Sequence, residues 1–279
     1  MKRHFTLLAA IALSALVRMN VSYSQSTWGV DTLKLSEELI ATKIEEDTYL
    51  VIHSFPYPAN SLLCKLTPVD YILVDTPYEN DATRLVIEWI RQNSDSAKIK
   101  VINTHYHRDN LGGNGYLLEQ NIPVYGSDLT VQLLNEKLSD PNQDNIADVL
   151  KQPQYKRYYD VFKNTELKPP DQIFKIDEGL KFEIGNETVE IFYPGAGHTQ
   201  DNVTVYFHKR RILFGGCLLK ALDWTGLGYT GESDIREWPN SLKKLLKKFP
   251  ESRIVIPGHG DYDDLSLIHH TLDLLKNKN

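Results

Sequence analysis

With 279 residues and a formal net charge of −6, the chain is long enough to bury one large core and too acidic to suit nucleic acid or an anionic membrane surface as a partner. No Pro/Ser/Gly-rich linker divides it, so a single domain is expected. The first element reads as a secretory signal: Lys2, Arg3 and His4 make a basic start, and Phe5 to Val17 is an apolar run too short to span a membrane. Ser22 and Ser24 are small residues at the spacing a signal peptidase reads. Residues 1–24 are therefore expected to be removed, leaving 25–279 as an exported, soluble, more acidic protein with the periplasm as its compartment. No cysteine stands near the cut to carry a lipid.

Leu39 to Lys43, Thr48 to Ser54 and Ser61 to Leu66 have strand patterning with turn residues between them. Cys64, in the last of these, reads as a buried free thiol rather than half of a disulfide with Cys217. The connecting loop Phe55-Pro56-Tyr57-Pro58-Ala59-Asn60 carries two aromatics, which either cover a ligand as a flap or fold back on the sheet. Tyr71 to Val74 is a continuous apolar run ending in Asp75-Thr76-Pro77, a buried strand with a carboxylate at its exit. Leu85, Val86, Trp89 and Ile90 have helical spacing within 81–92, and Lys98 to Asn103 is the next strand. Strand, helix, strand predicts a parallel pair whose functional residues gather at the strand ends.

At that edge the chain continues Thr104-His105-Tyr106-His107-Arg108-Asp109-Asn110-Leu111-Gly112-Gly113. In an extended segment residues i and i+2 face the same side, so the imidazoles of His105 and His107 converge on one ion while Asp109 reaches a second. Nitrogen and carboxylate ligands suit zinc, with iron and manganese as competitors. Residues 126–138 and 145–163 are expected to be helical, with Tyr155, Tyr158 and Tyr159 in packing roles. Leu180 to Ile184 and Thr188 to Tyr193 form a strand pair turning at Gly185-Asn186, and the second strand exits into a Gly-rich loop holding His198.

The rhythm repeats. Strands at 203–207 and 211–214 lead to Gly215-Gly216-Cys217, and a strand at 253–256 leads to Pro257-Gly258-His259-Gly260. Helices are expected at 233–248, capped by Ser233, and at 263–276, capped by Asp263 or Asp264. His53, His208, His269 and His270 have no ligand-type partner at useful spacing.

Four strand-exit loops thus supply His105, His107, Asp109, His198, Cys217 and His259. The ordered motifs His-x-His-x-Asp, Gly-His-Thr, Gly-Gly-Cys and Gly-His-Gly resemble the metallo-beta-lactamases of class B, and more narrowly their first, dizinc subclass with a cysteine ligand. The resemblance runs from about Leu39 to the final helix. It implies an α/β fold, the four-layered αβ/βα sandwich, with two zinc ions per subunit: His105, His107 and His198 at one, and Asp109, Cys217 and His259 at the other. It further implies hydrolysis of the beta-lactam amide of penicillins, cephalosporins and carbapenems by a zinc-bound hydroxide, without a covalent acyl-enzyme, in a monomer whose partner is the small-molecule substrate. Asp109 would orient the hydroxide, and Lys220 matches the lysine that pairs with the substrate carboxylate. Asp75 and Thr199 would stand behind the ligands and hold them by hydrogen bonds, whereas Asp201 and Asn202 would shape the loop after His198.

Two positions depart from the pattern. Asn110 stands where the subclass commonly has arginine, changing the charge near the second zinc. Tyr229 aligns where many members have an asparagine that helps hold the substrate carbonyl. Phe55 and Tyr57 occupy the place of the substrate-covering loop without its usual residues. A glyoxalase-II-like thioesterase or a lactonase of the same fold is the alternative enzyme, but those typically carry a histidine after the aspartate and a bridging aspartate where Cys217 stands. A non-catalytic periplasmic zinc-binding protein is the alternative outside catalysis, and it would have no need of Lys220.

Overall fold

Apolar strand runs without polar alternation need cover on both faces. The computed structural model, which describes residues 28–139 and 148–277, shows how this chain provides it. The expected signal segment, and the first residues of the helix expected from 145, lie outside the described residues.

An eight-stranded sheet is formed in sequence order by β1 (Thr32–Lys34), β2 (Leu39–Glu45), β3 (Thr48–Ser54), β4 (Pro58–Lys65), β5 (Asp70–Val74), β6 (Lys98–Ile102), β7 (Val124–Ser127) and β8 (Gln172–Phe174). A second sheet contains β9 (Leu180–Ile184), β10 (Glu187–Phe192), β11 (Thr204–Phe207), β12 (Ile212–Gly216) and β13 (Ile254–Pro257), ordered β13-β12-β11-β10-β9. The helices are α1 (Asn80–Asn93), α2 (Arg108–Leu111), α3 (Asn114–Glu119), α4 (Asp128–Ser139), α5 (Lys156–Asn164), α6 (Trp238–Lys248) and α7 (Ser266–Lys276).

Alternation along β5 sorts its side chains between two cores. Tyr71 and Leu73 join Val86, Ile87, Trp89 and Ile90 of α1 on the outer face. Ile72 and Val74 point between the sheets to meet Val189, Ile191, Phe214 and Ile256. Beyond the second sheet, Leu213 and Val255 join Leu242 and Leu245 of α6 and Leu267 and Ile268 of α7. The layers therefore run helix, sheet, sheet, helix: the four-layered αβ/βα sandwich that the motifs imply.

Register aligns the exits. The parallel pair β5 and β6 matches Val74 with Ile102, so Asp75 and Asn103 leave the sheet side by side. In β12 and β13 the register shifts between Phe214 and Gly216, which pairs with Pro257 and brings Cys217 beside the Gly258-His259 turn. A Cβ on Gly258 would lie 2.5 Å from the Cys217 Sγ, so only glycine permits this approach.

The elements differ from the sequence pattern where side chains reach distant backbone. β4 begins at Pro58 because its ladder with β3 continues through Ser54 and Pro58, and Asn60 also reaches the far sheet, its Nδ2 donating to the carbonyls of Pro257 and Gly260. The helix expected from Gly126 is preceded by β7, and α4 starts at Asp128 with the Ser127 Oγ accepting the Thr130 N–H as an N-cap. Before α5 the chain makes two short 3₁₀ turns, Asp148–Lys151 and Pro153–Tyr155. α6 begins at Trp238 rather than Ser233, with Pro239 in its first turn, where no intrahelical N–H is missed. The Ser233 Oγ donates instead to the carbonyl of His198. α7 starts at Ser266, after Asp263 has bridged to Val255, and the Asp264 carboxylate accepts the Ser266 N–H.

The hairpin between β3 and β4 is also tied down. Phe55 is fully buried, edge-on to Tyr158 and beside Phe162, and Tyr155, Tyr158 and Tyr159 pack into the same cluster. The tyrosines have the packing role their sequence context suggests. Beneath them His53 stacks on Phe55 and accepts the Tyr78 N–H at its Nδ1, 3.2 Å away.

Burial, helped by the charge of Arg157, lowers the His53 pKa to about 4. Between that value and the ordinary one near 6.5, the unfolded chain holds a proton that the folded chain does not, so stability falls as pH drops. His53 alone should account for a loss of roughly 3 kcal/mol across that interval. Urea unfolding at stepped pH should show it, and a His53→Gln variant should flatten that part of the curve.

Candidate metal centre

β6 ends at Ile102, and the next residues are held from below by a carboxylate. Asp75, in the left-handed region at φ 58°, accepts the Thr104 N–H at Oδ1 (2.7 Å). Its Oδ2 accepts the Thr104 hydroxyl (2.8 Å) and the Asn110 Nδ2 (2.6 Å). Burial pushes the Asp75 carboxyl up to about 8, against the pull of these hydrogen bonds. Thr104 and Asn110 flank the segment from His105 to Asp109, so Asp75 secures it at both ends. Asn110 directs its amide beneath the loop to Asp75 and Thr104 rather than into the cavity described below.

Above this knot the three histidines converge. The ring centre of His105 is 4.7 Å from that of His107 and 5.5 Å from that of His198, and the His107 Nδ1 lies 3.3 Å from the His198 Nε2. One ligand atom from each of the three lies within 4.8 Å of the others, and the same holds for Asp109, Cys217 and His259. The Asp109 Oδ2 is 3.1 Å from the His259 Nε2 and 3.4 Å from the Cys217 Sγ.

The electrostatics show what such a cluster lacks. Burial, then the neighbouring His107, holds the His105 pKa well below its ordinary value; burial and Lys220 do the same to His198. Burial and the Asp109 charge raise the Cys217 thiol. For Asp109 burial acts upward but is outweighed by the hydrogen bond and charge of His259, which keep it an anion. Buried neutral imidazoles and an anionic carboxylate are the states a cation requires, and a bound cation would release the thiol proton. The buried His105 Nε2 has no hydrogen-bond partner, an orphaned acceptor that a metal would satisfy. Three nitrogens in one group, and oxygen, sulfur and nitrogen in the other, are zinc-type donor sets.

Both groups open on a cavity of about 650 Å³ whose walls include Tyr57, Tyr78, Lys220, Trp224 and Tyr229. Tyr57 is 48 % exposed and Tyr229 62 %, the latter with its ring centre 6.4 Å from that of His107. Lys220 is only 3 % exposed. Phe55 does not reach the cavity: the apolar cluster under α5 claims it, so a substrate contact by Phe55 is ruled out in this arrangement. The Thr199 hydroxyl donates to Asp201 and its N–H to Asn202, so Thr199 steadies the His198 loop through those residues rather than by a bond to an imidazole. Asp201 in turn accepts the Thr130 hydroxyl of α4.

Glu232 was not legible in the sequence. The His107 Nε2 donates to its Oε2 at 2.5 Å, and Lys137 of α4 donates to its Oε1 at 3.1 Å. These partners outweigh burial and lower the Glu232 pKa to about 2. A carboxylate on the far nitrogen of a histidine fixes the tautomer that leaves Nδ1 unprotonated, the form that could hold a cation. Nothing local marks it, because its partner lies 125 residues away. Arg108 was likewise unmarked, although alternation turns it away from the ligands. Its guanidinium stacks 4.6 Å over Phe162 and donates to the carbonyls of Phe162 and Thr165.

Comparison with known proteins agrees with this geometry. The profile of the metallo-beta-lactamase superfamily matches residues 55–259. The chain is 27% identical over 250 residues to a metallo-beta-lactamase type 2 of Bacteroides fragilis, covering 88% of each. It is 33% identical over 219 residues to one of Bacillus sp. (strain 170), covering 78% of this chain and 73% of the relative. Among solved structures, a metallo-beta-lactamase from Pontibacter korlensis superposes with a TM-score of 0.70 at 31% identity, covering 86% of this chain and 99% of that one.

The Asp75 knot has a measurable consequence. Asp75→Ala strands the Thr104 N–H, the Thr104 hydroxyl and the Asn110 amide in a buried site, at about 1–3 kcal/mol each. Chemical denaturation should show a loss of at least about 3 kcal/mol. Asp75→Asn, keeping the shape and one acceptor oxygen, should lose less.

Proposed function

Because the chain belongs to the metallo-beta-lactamase superfamily, we propose that it is an exported, monomeric beta-lactamase that holds two zinc ions and hydrolyses penicillins, cephalosporins and carbapenems in the periplasm, conferring resistance to them. The observation that carries this reading is the pairing of the two ligand groups, His105 with His107 and His198, and Asp109 with Cys217 and His259, on a cavity that also contains a buried lysine.

In the reaction the amide C–N bond of the lactam breaks, water adds oxygen to the carbonyl carbon, and a proton ends on the nitrogen. Zinc bound at such sites supplies Lewis acidity and brings the pKa of a coordinated water to about 7. The chain's own residues do the positioning. Asp109 presents Oδ2 to His259 and Cys217, and its other oxygen accepts the hydrogen bond that orients the attacking water. The Lys220 ammonium takes the substrate carboxylate in a poorly solvated site, where a charge-assisted bond is stronger than in water. Tyr229 stands on the cavity wall, and its hydroxyl would donate to the lactam carbonyl oxygen. Tyr57 and Tyr78 supply apolar surface for the substrate's ring and side chain. Asp75, Asn110, Thr199 and Glu232 keep the ligands aimed. Cys217 and Asn110 are both unlike the residues typical of thioesterases and lactonases of this fold.

The test is hydrolysis of a chromogenic cephalosporin by purified protein, with chelator added and zinc then restored. Activity should disappear and return, and imipenem should be consumed under the same conditions. A zinc-loaded protein that leaves both substrates intact would transfer the reading to an ester, thioester or lactone. Cys217→Ser should lower the zinc bound per chain as measured by metal analysis. Lys220→Ala should raise KM by at least about tenfold for a carboxylate-bearing substrate, the loss expected for one charge-assisted hydrogen bond.

A further inference from the structure

Tyr78 stands at the exit of β5, and its backbone is clamped. Its N–H donates to the His53 Nδ1 at 3.2 Å, and its carbonyl lies so close to Gly112 that a Cβ there would come within 2.0 Å of it. Just before it, the Thr76 N–H donates to the Asn110 carbonyl. The ring has little freedom left. It stacks on Phe162, with centres 5.9 Å apart and planes at 22°, and leans on His53 at 5.8 Å. From that apolar cluster it reaches the cavity wall, with only 7 % of the residue exposed.

The hydroxyl is not spent on the fold. Among the described residues nothing accepts a hydrogen bond from it, and it stands near Asp109 and Cys217, which together with burial raise its pKa well above that of an ordinary phenol. It is a protonated donor with no partner. Lys220 stands near the same pair: burial lowers its pKa, and Cys217 and Asp109 act against this. Lysine and phenol thus flank the second ligand group, and both line the cavity. In a bicyclic beta-lactam the ring nitrogen is bonded to the carbon that bears the carboxylate. A carboxylate held at Lys220 therefore leaves that nitrogen beside the second ligand group, within the space that Tyr78 borders.

We propose that Tyr78 is a catalytic residue whose hydroxyl donates a hydrogen bond to the lactam nitrogen as the C–N bond breaks. This deepens the beta-lactamase reading and rests on it for the reaction. The oxygen of water bonds to the carbonyl carbon, the nitrogen takes the electron pair of the broken bond, and the hydroxyl shares the resulting charge until a proton from the attacking water reaches the nitrogen. Tyrosine keeps its own proton throughout. An intact amide nitrogen is a poor acceptor, so the bond strengthens only as the ring opens, which is the condition for lowering a barrier. Substrates should differ in their need of it. In a penicillin the nitrogen leaves into a saturated ring and the charge stays on it, whereas in a chromogenic cephalosporin conjugation spreads the charge into the chromophore.

Tyr78→Phe keeps the ring and removes the hydroxyl. Single-turnover rates of ring opening are measured for benzylpenicillin and for a chromogenic cephalosporin on zinc-loaded wild type and variant, so that product release does not mask the chemical step. Zinc content, the urea midpoint and the calorimetric affinity for hydrolysed benzylpenicillin are measured on both proteins. The benzylpenicillin rate should fall roughly ten- to a hundredfold, the loss expected for one hydrogen bond to a charged group, and the cephalosporin rate by only about threefold. Zinc content, midpoint and product affinity should hold, because the nitrogen of the product is no longer an anion. An unchanged benzylpenicillin rate would overturn the proposal. Equal losses on both substrates, or a loss of zinc, would overturn it too, since either makes Tyr78 a support of the site and not a donor to the nitrogen. Failure of the beta-lactamase reading would appear separately, as wild-type protein that opens neither lactam.

Discussion

The site depends on one buried carboxylate. Asp75 leaves β5 in a left-handed conformation that non-glycine residues rarely adopt, and so directs both oxygens at the neighbouring strand exit. Thr104 and Asn110, which it binds, stand immediately before and after the run that carries His105, His107 and Asp109. The same exit is stapled twice more: the Thr76 N–H donates to the Asn110 carbonyl, and the Gly113 N–H to the Thr76 hydroxyl. A loop clamped at both ends can present ligands at fixed separation, and metal binding needs that property more than high affinity at any one atom. The parallel register of β5 and β6 is what puts Asp75 within reach.

On that base the ligand groups are arranged against their own solvation. His105 and Cys217 are buried among groups that disfavour their charged forms, whereas Asp109 is kept anionic by His259. Such an arrangement stores a mismatch that a divalent cation removes, because it prefers the neutral imidazole, the carboxylate and the thiolate together. Glu232 extends the principle outward. By accepting from His107 and from Lys137 it couples a ligand to α4 and to the segment that carries Tyr229.

How far the sequence was legible follows from the range of each interaction. The ligands were readable because each sits just past an apolar strand, where a Gly-rich turn is a local signal, and because His105 and His107 obey strand alternation. The layers were readable from the lack of polar alternation in Tyr71 to Val74 and from helical spacing in α1. What was not readable depends on partners distant in the chain. The Asn60 side chain ties β4 to Pro257 and Gly260, which its own surroundings in the chain do not announce. β7 is four residues long and is defined by its neighbours β6 and β8 rather than by its own pattern. The loop with Phe55 offered two readings, and the cluster of Tyr158 and Phe162 decides between them for that residue, leaving Tyr57 on the cavity side.

The two walls of the cavity are built differently. On the side of β3 and β4, Phe55 is locked under α5. Arg157 of that helix pairs with both oxygens of Glu38, and Arg108 ties the helix's last carbonyls to the ligand loop. That wall is fixed by apolar contact and by bonds that do not involve a substrate. The opposite wall, from Trp224 to Glu232, contains Gly226 and a left-handed Gly228, exposes Tyr229, and touches the ligand groups through Trp224 at one end and Glu232 at the other. A substitution in the first wall changes the frame through the core. In the second, between its two ends, it changes the cavity surface without removing the Trp224 and Glu232 contacts to the ligand groups.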